Sequence, residues 1–539
     1  MPSLNRPRHA DGPALGCRVN ATLTLVPATR CGGNQLAPAV YAYGGFHQYS
    51  DEVYGDLHRL TLDPLRWESV SAFGEPTAGN STSDDGVSRG IGLGLPARYD
   101  HAAALWRERM LVVFGGHDEE GRYQADTLLS DVGQDAGAVR WHTLACHGQV
   151  PGGRAKHAVA IAGDIFYVSG GYVSAGDAGN AGLNGDLCRL DLRTGEWLKP
   201  VPFVTRYSHQ LLVCTDGRLL AYGGYNAEVE PISELAFFDS SASEGEQVTY
   251  VQVRSEQAPD PSGQHFAGVY GDQLAVLVTR CLSYGHSDLF GLWSLDLRRL
   301  TWRRHAEADE LAEQLAAGSW HYAVPSTSGD RWWLFGAAGD QDADEYLGAV
   351  VELDLREHGV IPMPASDIGQ NLTTRLPDAQ TTPASSFRVH RCILAARWPH
   401  FANMLASGAQ EVRQGELCLP EPPGVVLSFL HYLYADALDA SLPDCVVARL
   451  LVLANLYCMT RLQRLCCRRL HDVVSVANAA FLWEQAVTAD ERGLARRVMR
   501  FICEHFGAVC RTPGFRSVSS TMLAQFWEQM PEEARIVGE

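Results

Sequence analysis

Val40-Tyr-Ala-Tyr-Gly-Gly45 is a short run of strand-forming residues that ends in a pair of glycines. The same pattern returns three times, as Val112-Val-Phe-Gly-Gly116, Phe166-Tyr-Val-Ser-Gly-Gly171 and Leu219-Leu-Ala-Tyr-Gly-Gly224. Weaker copies are Leu274-Ala-Val-Leu-Val278, which lacks the glycines, and Arg331-Trp-Trp-Leu-Phe-Gly336. The copies recur at roughly 50 to 70 residues, and a regular period of that order is typical of repeat architectures. The sequence therefore predicts six structural units.

Two further features accompany the Gly-Gly pairs. A basic or polar residue followed by His lies upstream, as in Arg98-Tyr-Asp-His101, Arg154-Ala-Lys-His157, Arg206-Tyr-Ser-His209, Gln264-His265 and Ser319-Trp-His321. An apolar strand and a Trp lie downstream, as from Leu57 to Trp67, Leu187 to Trp197 and Leu292 to Trp302. These features therefore predict four short strands in each unit. One such sheet cannot bury both faces alone, whereas six twisted sheets around an axis bury both faces against their neighbours.

The repeated residues also have physical roles in a radial arrangement. Gly-Gly would end the second strand where φ is positive and the crowded centre leaves no room for side chains, and the Trp would fill the gap between sheets. The pattern resembles the kelch repeat over residues 16–365, most specifically in units two to four. The resemblance implies an all-β, six-bladed kelch β-propeller. Because Arg and His recur once per unit, we interpret them as hydrogen-bonding groups between blades rather than as a catalytic or metal set.

The loops between the second and third strands of all blades should emerge on one face of such a propeller. These loops span 46–53, 117–127, 172–185, 225–234, 280–290 and 337–346, and they contain 15 acidic residues but only Arg122 and Arg280 as basic ones. Each loop also carries a tyrosine. Mixed aromatic and charged loop residues are typical of protein-binding hot spots. The candidate partner contacts are Tyr49, Asp118, Glu119, Glu120, Tyr123, Tyr225, Glu228, Glu230, Tyr284, Asp340, Asp342, Asp344 and Glu345. The alternative is that an aromatic residue directly after Gly-Gly, such as Phe46, Tyr172 or Tyr225, packs inward.

The charge of the chain is unevenly distributed. Its net charge is −19, yet residues 387–539 carry 16 Arg, no Lys and 15 acidic residues, so residues 1–386 hold a balance of −20. An acidic surface repels nucleic-acid phosphates and anionic membranes and favours a protein partner with a basic surface. The sequence has neither a signal-peptide pattern nor an apolar run long enough for membrane insertion. We expect a cytoplasmic location, with the nucleus as the alternative.

After a polar linker at 366–386 the sequence period changes. Residues 387–401 read as a short strand that runs into a helix interrupted by Pro399, and Glu416–Pro420 reads as another strand. Apolar residues then follow helical spacing over Val425–Tyr434 and Asp444–Arg469. This stretch resembles a BTB domain, and the helices predicted after it resemble the start of a BACK-type extension. The expected organisation is a disordered N-terminus at 1–15, a propeller at 16–365, the linker, an α+β BTB domain at 387–470 and a BACK-like α-helical region at 471–539.

Proteins that join kelch repeats to BTB and BACK domains usually act as substrate receptors of cullin-3 ubiquitin ligases. The propeller-first order resembles the leucine-zipper-like regulator type of kelch-BTB protein. The resemblance implies cullin-3 as a candidate partner, bound near an apolar-x-Glu motif for which this chain offers Ala409-Gln410-Glu411. The residues assigned to this contact are Met404, Ala409, Glu411, Tyr432 and Tyr434. The alternative is that Met404 and both tyrosines are core residues.

Two questions stay open at the level of sequence. Homodimerisation through the BTB domain is one, because the polar linker replaces the apolar strand that usually opens this domain. The other is whether the chain is a ligase receptor or a scaffold or trafficking effector that uses BTB only for assembly. Catalysis is not expected, because the sequence has no GxSxG, GxxxxGK or HExxH motif and no metal-ligand cluster. No cofactor is expected either.

Overall fold

The computed structural model describes residues 6–31, 34–74, 95–133, 137–173, 182–242, 245, 247–253, 255, 257–280, 291–305, 315, 318–339, 345–363, 387, 389–407, 417 and 419–530. The chain divides into two compact units. One spans Leu4–Leu353, and the other begins at Asp354 and continues to Glu539. The described part of the chain has no helix that is both long and apolar enough to span a membrane.

In the first unit, the described strands fall into six groups of four strands, which we call sheets 1 to 6. Sheets 1 and 2 are joined into one eight-stranded sheet by the parallel pair Leu65–Gly74 and Ala138–Thr143, and sheet 3 also carries His147–Gly148 and Val201–Pro202. Sheets 1 to 3 consist of Thr22–Val26, Ala39–Tyr43, Leu57–Leu62 and Leu65–Gly74; Ala102–Trp106, Met110–Phe114, Thr127–Asp131 and Ala138–Thr143; and Ala158–Ala162, Ile165–Ser169, Asp186–Asp191 and Glu196–Trp197. Sheets 4 to 6 consist of Gln210–Val213, Leu219–Tyr222, Leu235–Phe238 and Val248–Val251; Gln264–Tyr270, Gln273–Arg280, Gly291–Asp296 and Thr301–Arg304; and Ser319–Pro325, Arg331–Ala337, Ala349–Asp354 and Arg8–His9. The remaining short strands are Arg18–Val19, Thr29–Cys31, Asn34–Leu36, Phe46–His47, His147–Gly148, Arg154–Ala155, Tyr172–Val173, Gly182–Leu183 and Val201–Pro202.

The sheets follow one another in a cycle. The first strand of each sheet contacts the first strand of the next sheet along the chain. The first strand of sheet 6, Ser319–Pro325, also contacts Thr22–Val26 of sheet 1, so the series returns to its start. This arrangement is that of a β-propeller, in which each twisted sheet buries both faces against its neighbours.

The N-terminus supplies the fourth strand of sheet 6. Arg8–His9 pairs antiparallel with Ala349–Asp354, so that Arg8 lies opposite Val350. Ala10 and Leu15 next to it are buried. The prediction of disorder at 1–15 is therefore wrong for residues 6–15, because the edge of the last sheet accepts this segment as its fourth strand.

The Gly-Gly pairs occupy the positions where only glycine fits. Gly115 and Gly116 have φ of 69° and 91°, and a Cβ on Gly115 would lie 2.6 Å from the carbonyl oxygen of Arg154 in the next sheet's leading loop. The main-chain N–H of Gly116 donates to that same oxygen at 2.8 Å. The pair thus combines a left-handed backbone with a close approach between neighbouring sheets, as the repeat predicts.

The recurring Arg residues act inside their own sheet. Arg98 is buried and donates to the carbonyl oxygen of Gly115 at 3.0 Å and, through both terminal nitrogens, to the carboxylate of Asp126. We expected these side chains to bond between blades. The extended guanidinium instead bridges the second and third strands of one sheet, and the Arg main-chain carbonyls make the bonds between sheets.

Two of the recurring His residues, His101 and His209, hydrogen-bond to the preceding sheet, whereas both ring nitrogens of His157 are buried without a hydrogen-bond partner among the described residues. Nε2 of His101 lies 3.0 Å from Oγ1 of Thr22 in sheet 1, and Nε2 of His209 lies 3.1 Å from Oγ of Ser169 in sheet 3. Both rings are buried. The tryptophans also fill the gaps as predicted, since Trp197 is 1% exposed and packs on Phe114 of the preceding sheet at a ring separation of 5.4 Å.

The second unit is helical in its described residues. Its helices are Arg391–Arg397, Pro399–Ser407, Pro423–Ala435, Asp444–Leu456, Thr460–Asp472, Ala479–Thr488, Arg492–Glu504, Phe506–Val509, Pro513–Arg516 and Ser520–Gln529, after a 3-10 turn at Leu355–His358. The predicted break at Pro399 is present, because Trp398 before it adopts an extended backbone. The predicted buried face of Asp444–Leu456, with Leu450, Leu453 and Ala454, packs in the core of this unit.

The predicted strands of the BTB region are not seen in the described residues. Phe387, Val389 and Leu417 have no regular secondary structure, and positions 388, 416 and 418 lie outside the description. The turn at Leu355–His358 also belongs to the helical unit rather than to the propeller. Its Glu357 is buried and forms ion pairs with Arg496 and Arg500. Residues that precede the linker at 366–386 are therefore part of the helical unit.

Candidate partner-binding sites

A shared backbone pairing shapes one rim of the propeller. In each of the first four units, the residue after the recurring Arg pairs with the residue after Gly-Gly. The pairs are Val19–Phe46, Tyr99–His117, Ala155–Tyr172 and Tyr207–Tyr225. In these four units the pairing brings the leading loop of the sheet beside the loop between its second and third strands. We call the surface formed by these eight residues and the described residues of the loops that follow them the mouth.

Aromatic side chains line the mouth in two series. In the first ladder, Phe46, Tyr99, His117 and Tyr123 follow one another at ring separations of 5.0, 4.9 and 4.5 Å. In the second ladder, Tyr172, Tyr207 and Tyr225 follow at 4.9 and 5.7 Å. All seven side chains are partly exposed. The ladders therefore offer aromatic surface to a partner while each ring supports the next.

The ladders are separated by a gap in unit three. Ala155, which is fully buried, stands where units two and four have Tyr99 and Tyr207. Lys156 follows it and is exposed. Ladder one therefore ends on the unit-two side of the gap, and ladder two begins with Tyr172 on its other side.

Lys156 belongs to a series of equivalent positions around the mouth. Asn20, Asp100, Lys156 and Ser208 all have φ between 50° and 54°. The N–H of each donates to the carbonyl oxygen of the one before it, at 3.2, 3.0 and 2.9 Å. Burial raises the pKa of Asp100, and the Lys156 charge opposes that rise. Burial and then the Lys156 charge lower the pKa of His117. The charge of the Lys156 ammonium therefore affects the pKa of both Asp100 and His117.

The acidic loop of sheet 2 neutralises much of its own charge. Arg122 donates to Asp118 at 2.7 Å and to Glu120 at 2.7 Å. Burial raises the pKa of Asp118, but hydrogen bonds from the Arg122 backbone and side chain outweigh it, so that the pKa falls below its usual value. Glu119 is exposed beside them. A pocket lies here, lined by Pro96, Ala97, Arg98, Asp118, Glu119, Glu120, Arg122 and Gln124.

The corresponding loop of sheet 4 presents its acids more openly. The side chain of Asn226 accepts from the N–H groups of Glu228 and Glu230 at 3.0 and 2.8 Å and donates to the Glu230 carboxylate at 2.9 Å. Both glutamates are exposed. This turn fixes two carboxylates at the rim beside the second ladder without neutralising them.

The other loop residues that the sequence predicts as partner contacts differ in their solvent exposure. Tyr49 is 67% exposed, and Glu345 is half-buried. Tyr284, Asp340, Asp342 and Asp344 lie outside the described residues. Tyr346, the tyrosine of the sixth loop, is buried and stacks on His321 at 3.8 Å.

Sequence reasoning missed Tyr99, Tyr207 and Lys156. A signal for them exists, because each lies one or two positions after the recurring Arg in a fixed register with its His. The aromatic candidates predicted from the sequence lie only in the loops between the second and third strands, and not in the segments after the recurring Arg. Pairing between the two positions shows that Tyr99 and Tyr207 share the surface of Tyr123 and Tyr225.

The residues assigned to cullin binding are only partly described. Met404 is half-buried, whereas Ala409 and Glu411 lie outside the described residues. Tyr432 and Tyr434 are 2% and 1% exposed, so both are core residues and neither presents a side chain to a partner. The hydroxyl of Tyr434 accepts from the N–H of His390 at 2.7 Å, which ties the entry of the first helix to the core.

A buried charge cluster stabilises this core. Asp436 ends the helix Pro423–Ala435 and accepts from Arg397 at 2.5 Å and from Arg461 at 2.7 Å. All three side chains are largely buried. Because both guanidinium groups contact the one carboxylate of Asp436, the cluster joins three helical segments through buried charged hydrogen bonds. Among the described residues, no group of three or more His, Cys, Asp or Glu side chains is placed to hold a metal ion.

Two family models match the chain. The KLHDC2/KLHL20/DRC7 Kelch-repeats domain matches residues 40–203, and the BTB/POZ domain matches residues 378–473. The chain therefore has a kelch-repeat domain followed by a C-terminal BTB/POZ domain. Domains of both kinds are typically non-catalytic protein-interaction modules, and together they support a protein-binding adaptor.

Curated proteins share parts of the sequence. BTB/POZ and MATH domain-containing protein 4 of Arabidopsis thaliana is 32% identical over 191 residues, which cover 31% of this chain and 41% of that protein. Kelch domain-containing protein 3 of Homo sapiens is 27% identical over 182 residues, or 33% of this chain and 39% of that protein. Kelch-like protein 40a of Danio rerio is 27% identical over 139 residues, or 26% and 22%. The chain thus spans less than half the length of each of these relatives.

Proposed function

We propose that this protein is a substrate receptor of a cullin-3 type ubiquitin ligase, in which the propeller mouth captures a protein and the BTB domain recruits the ligase. The observation that carries this proposal is the union, in one chain, of kelch repeats with an aromatic, acid-rimmed mouth and a BTB domain. The ordered closure of the propeller also favours a rigid binding platform.

The finer architecture is part of the proposal. The cycle of contacts through six sheets, with the N-terminal strand completing the sixth, supports six blades. The helices from Ala479 onward support a BACK-like extension, because they continue the packing of the BTB helices in one hydrophobic core. Cytoplasmic location, with the nucleus as the alternative, belongs to the same proposal.

The captured partner should offer a basic segment. Glu119, Glu228 and Glu230 are exposed at the rim, and partly exposed tyrosines lie between them. Carboxylates steer cationic side chains, and tyrosine faces bind guanidinium groups. The acidic balance of residues 1–386 would accelerate the encounter with such a partner.

Charge reversal tests this part of the proposal. A Glu119→Lys/Glu228→Lys double variant should bind a fluorescent arginine-containing peptide at least about ten-fold more weakly at low salt. The matched control is Glu108→Lys/Glu196→Lys, which reverses two exposed carboxylates of the same unit that do not belong to the mouth. Equal losses in both variants, or no loss in either, would contradict a basic-segment site at the mouth.

The ligase contact is tested by titrating the full chain with the N-terminal domain of cullin-3. Binding should be lost on Glu411→Arg and retained on Glu504→Arg, a reversal of the same charge on an exposed helical residue. Absence of binding by the unaltered chain would favour the second candidate function, a scaffold or trafficking effector that uses BTB for assembly or for homodimer formation. The sequence feature that supports the second candidate is Ala409, which is a small anchor for the motif.

A further inference from the structure

The mouth combines three features that together restrict what can bind there. Two aromatic ladders lie on either side of a gap at Ala155. Exposed carboxylates accompany both ladders, Glu119 beside the first and Glu228 beside the second. One cation, Lys156, stands in the gap. Attraction for basic side chains is therefore divided between two places, with a repulsive charge between them.

The position of Lys156 is fixed by the backbone. Its N–H donates to Asp100 and its carbonyl oxygen accepts from Ser208, so both neighbouring units hold it. Its left-handed backbone conformation recurs at the equivalent position of units one, two and four. Those units carry Asn20, Asp100 and Ser208, none of which is basic. The chain has only one other lysine, Lys199, which is exposed on a different part of the propeller unit.

A cation that is anchored through its main chain in an acidic binding site can discriminate between partners. A partner is selected partly by the repulsion that its competitors meet. An unbroken run of Lys or Arg would place a cation over Lys156 and lose affinity. A segment with arginines at both ends and an uncharged centre would reach both acidic rims and stack on both ladders.

We propose that Lys156 is a specificity-determining residue, which selects segments with two separated arginine groups over segments with one continuous basic run. This inference rests on the proposed capture of a basic segment at the mouth and names the charge pattern of that segment. The occupant is a protein segment long enough to contact both ladders, because the ladders lie on either side of unit three in the cycle of sheets.

The test uses the full chain and two synthetic peptides of equal length and equal net charge. In the flanked peptide, two arginine pairs are separated by a Ser/Gly centre. In the clustered peptide, four arginines stand together in the centre. Affinities are measured by fluorescence anisotropy at low salt for the unaltered chain and for Lys156→Ala, Lys156→Glu and Lys199→Glu.

The unaltered chain should prefer the flanked peptide by roughly five-fold or more, the order expected for one unfavourable charge contact. Lys156→Glu should remove or reverse this preference, chiefly by tightening the clustered peptide, and Lys156→Ala should fall between. Lys199→Glu makes the same charge change elsewhere and should keep the preference. Variants with the unaltered thermal transition exclude misfolding as the cause.

Three results would overturn the inference, and they differ in what else they reject. If both peptides bind and Lys156→Glu keeps the preference of the unaltered chain, Lys156 is not the selecting residue and the basic-segment site stands. If the unaltered chain binds neither peptide, the basic-segment site itself is rejected, and the role of Lys156 with it. A preference lost equally in Lys199→Glu would attribute the effect to overall charge and also reject the inference.

Discussion

Sheets 1 to 4 and sheets 5 and 6 have the same four-strand topology, but the leading residue of each group makes different hydrogen bonds. In the first four, a buried Arg bonds the carbonyl of the first Gly of the Gly-Gly pair, as Arg98 does with Gly115 and Arg206 with Gly223. Sheet 5 has no Gly-Gly pair, and Gln264 occupies the leading position. Its amide donates to the carbonyl oxygen of Trp320 in sheet 6.

The later sheets compensate with longer strands and side-chain contacts. Gln264–Tyr270 and Ser319–Pro325 have seven residues each and contain register shifts near their starts. Tyr322 of sheet 6 donates to the carbonyl oxygen of Arg18 at 2.8 Å, and so reaches the first unit. All of the blades share the radial packing. The hydrogen bond from the buried Arg to the Gly-Gly pair is one of at least two arrangements that are compatible with this packing.

The largest expected effect on folding stability comes from replacing a glycine of the Gly-Gly pairs. Gly115→Val should destabilise the propeller by about 4 kcal/mol or more, because a branched side chain meets both a positive φ and the Arg154 carbonyl. Gly152→Ala is the control, since a Cβ there meets nothing within 4 Å. Urea unfolding followed by tryptophan fluorescence measures both. Equal stability of the two variants would contradict the tight approach between sheets 2 and 3.

Replacement of the buried Arg of sheet 2 should have the next largest effect on folding stability. Arg98→Met removes a buried guanidinium from Gly115 and Asp126, and we expect a loss of about 3 kcal/mol. This value is reduced from that of a fully buried pair because Asp126 is 29% exposed. Arg109→Met, which breaks an exposed pair with Asp131, should cost about 0.5 kcal/mol. Similar losses from both changes, by urea unfolding, would remove the special role of the buried Arg.

Acidification should weaken sheets 2 to 4 through their buried histidines His101, His157 and His209. Burial lowers the pKa of His157 and of His209 to about 3, below the ordinary value of 6.5. The neutral rings therefore contribute stability above pH 6.5, and this contribution is lost as the pH falls toward 3. At pH 5 each ring should account for up to about 2 kcal/mol.

A His157→Gln variant measures that contribution. Its stability loss relative to the unaltered chain should be smaller at pH 5 than at pH 7, because the variant lacks the group that resists protonation. Denaturant titrations at both pH values provide the comparison. An identical loss at the two pH values would show that His157 titrates equally in the folded and unfolded chain.

The smallest effect is expected in sheet 5. Gln264→Ala removes a neutral hydrogen bond to Trp320 and should cost about 1 kcal/mol. Its effect should stay well below that of Arg98→Met in the same urea assay. A loss as large as that of Arg98→Met would mean that the later sheets depend on their leading residue as strongly as the earlier ones.

The sequence predicts what the repeat encodes and misses what lies outside it. Gly-Gly, Arg and Trp recur with a fixed chemistry, so sheets 1 to 4 and the gap-filling by Trp197 could be anticipated. The closing strand Arg8–His9 could not, because two residues carry no periodicity and their partner is about 340 residues away in sequence. The helices after Pro423 follow from apolar spacing, which is a local property.

The site was harder to predict than the fold. The loops and their tyrosines follow the second strand of each repeat, but the ladders depend on backbone pairing within a unit and on ring contacts between neighbouring units. Burial separated Tyr432 and Tyr434 from the surface candidates, and sequence spacing alone does not distinguish a core tyrosine from an exposed one. The neutralisation of Asp118 and Glu120 by Arg122 likewise depends on the turn geometry of one loop.

The most direct test of the account is a sedimentation experiment with the full chain, the N-terminal domain of cullin-3 and a labelled flanked-arginine peptide together. The account predicts one species that carries both ligands, with the peptide lost on Glu119→Lys/Glu228→Lys and the cullin domain retained. A chain that binds neither ligand, or that releases one when it takes up the other, would contradict an adaptor that joins a captured protein to a ligase.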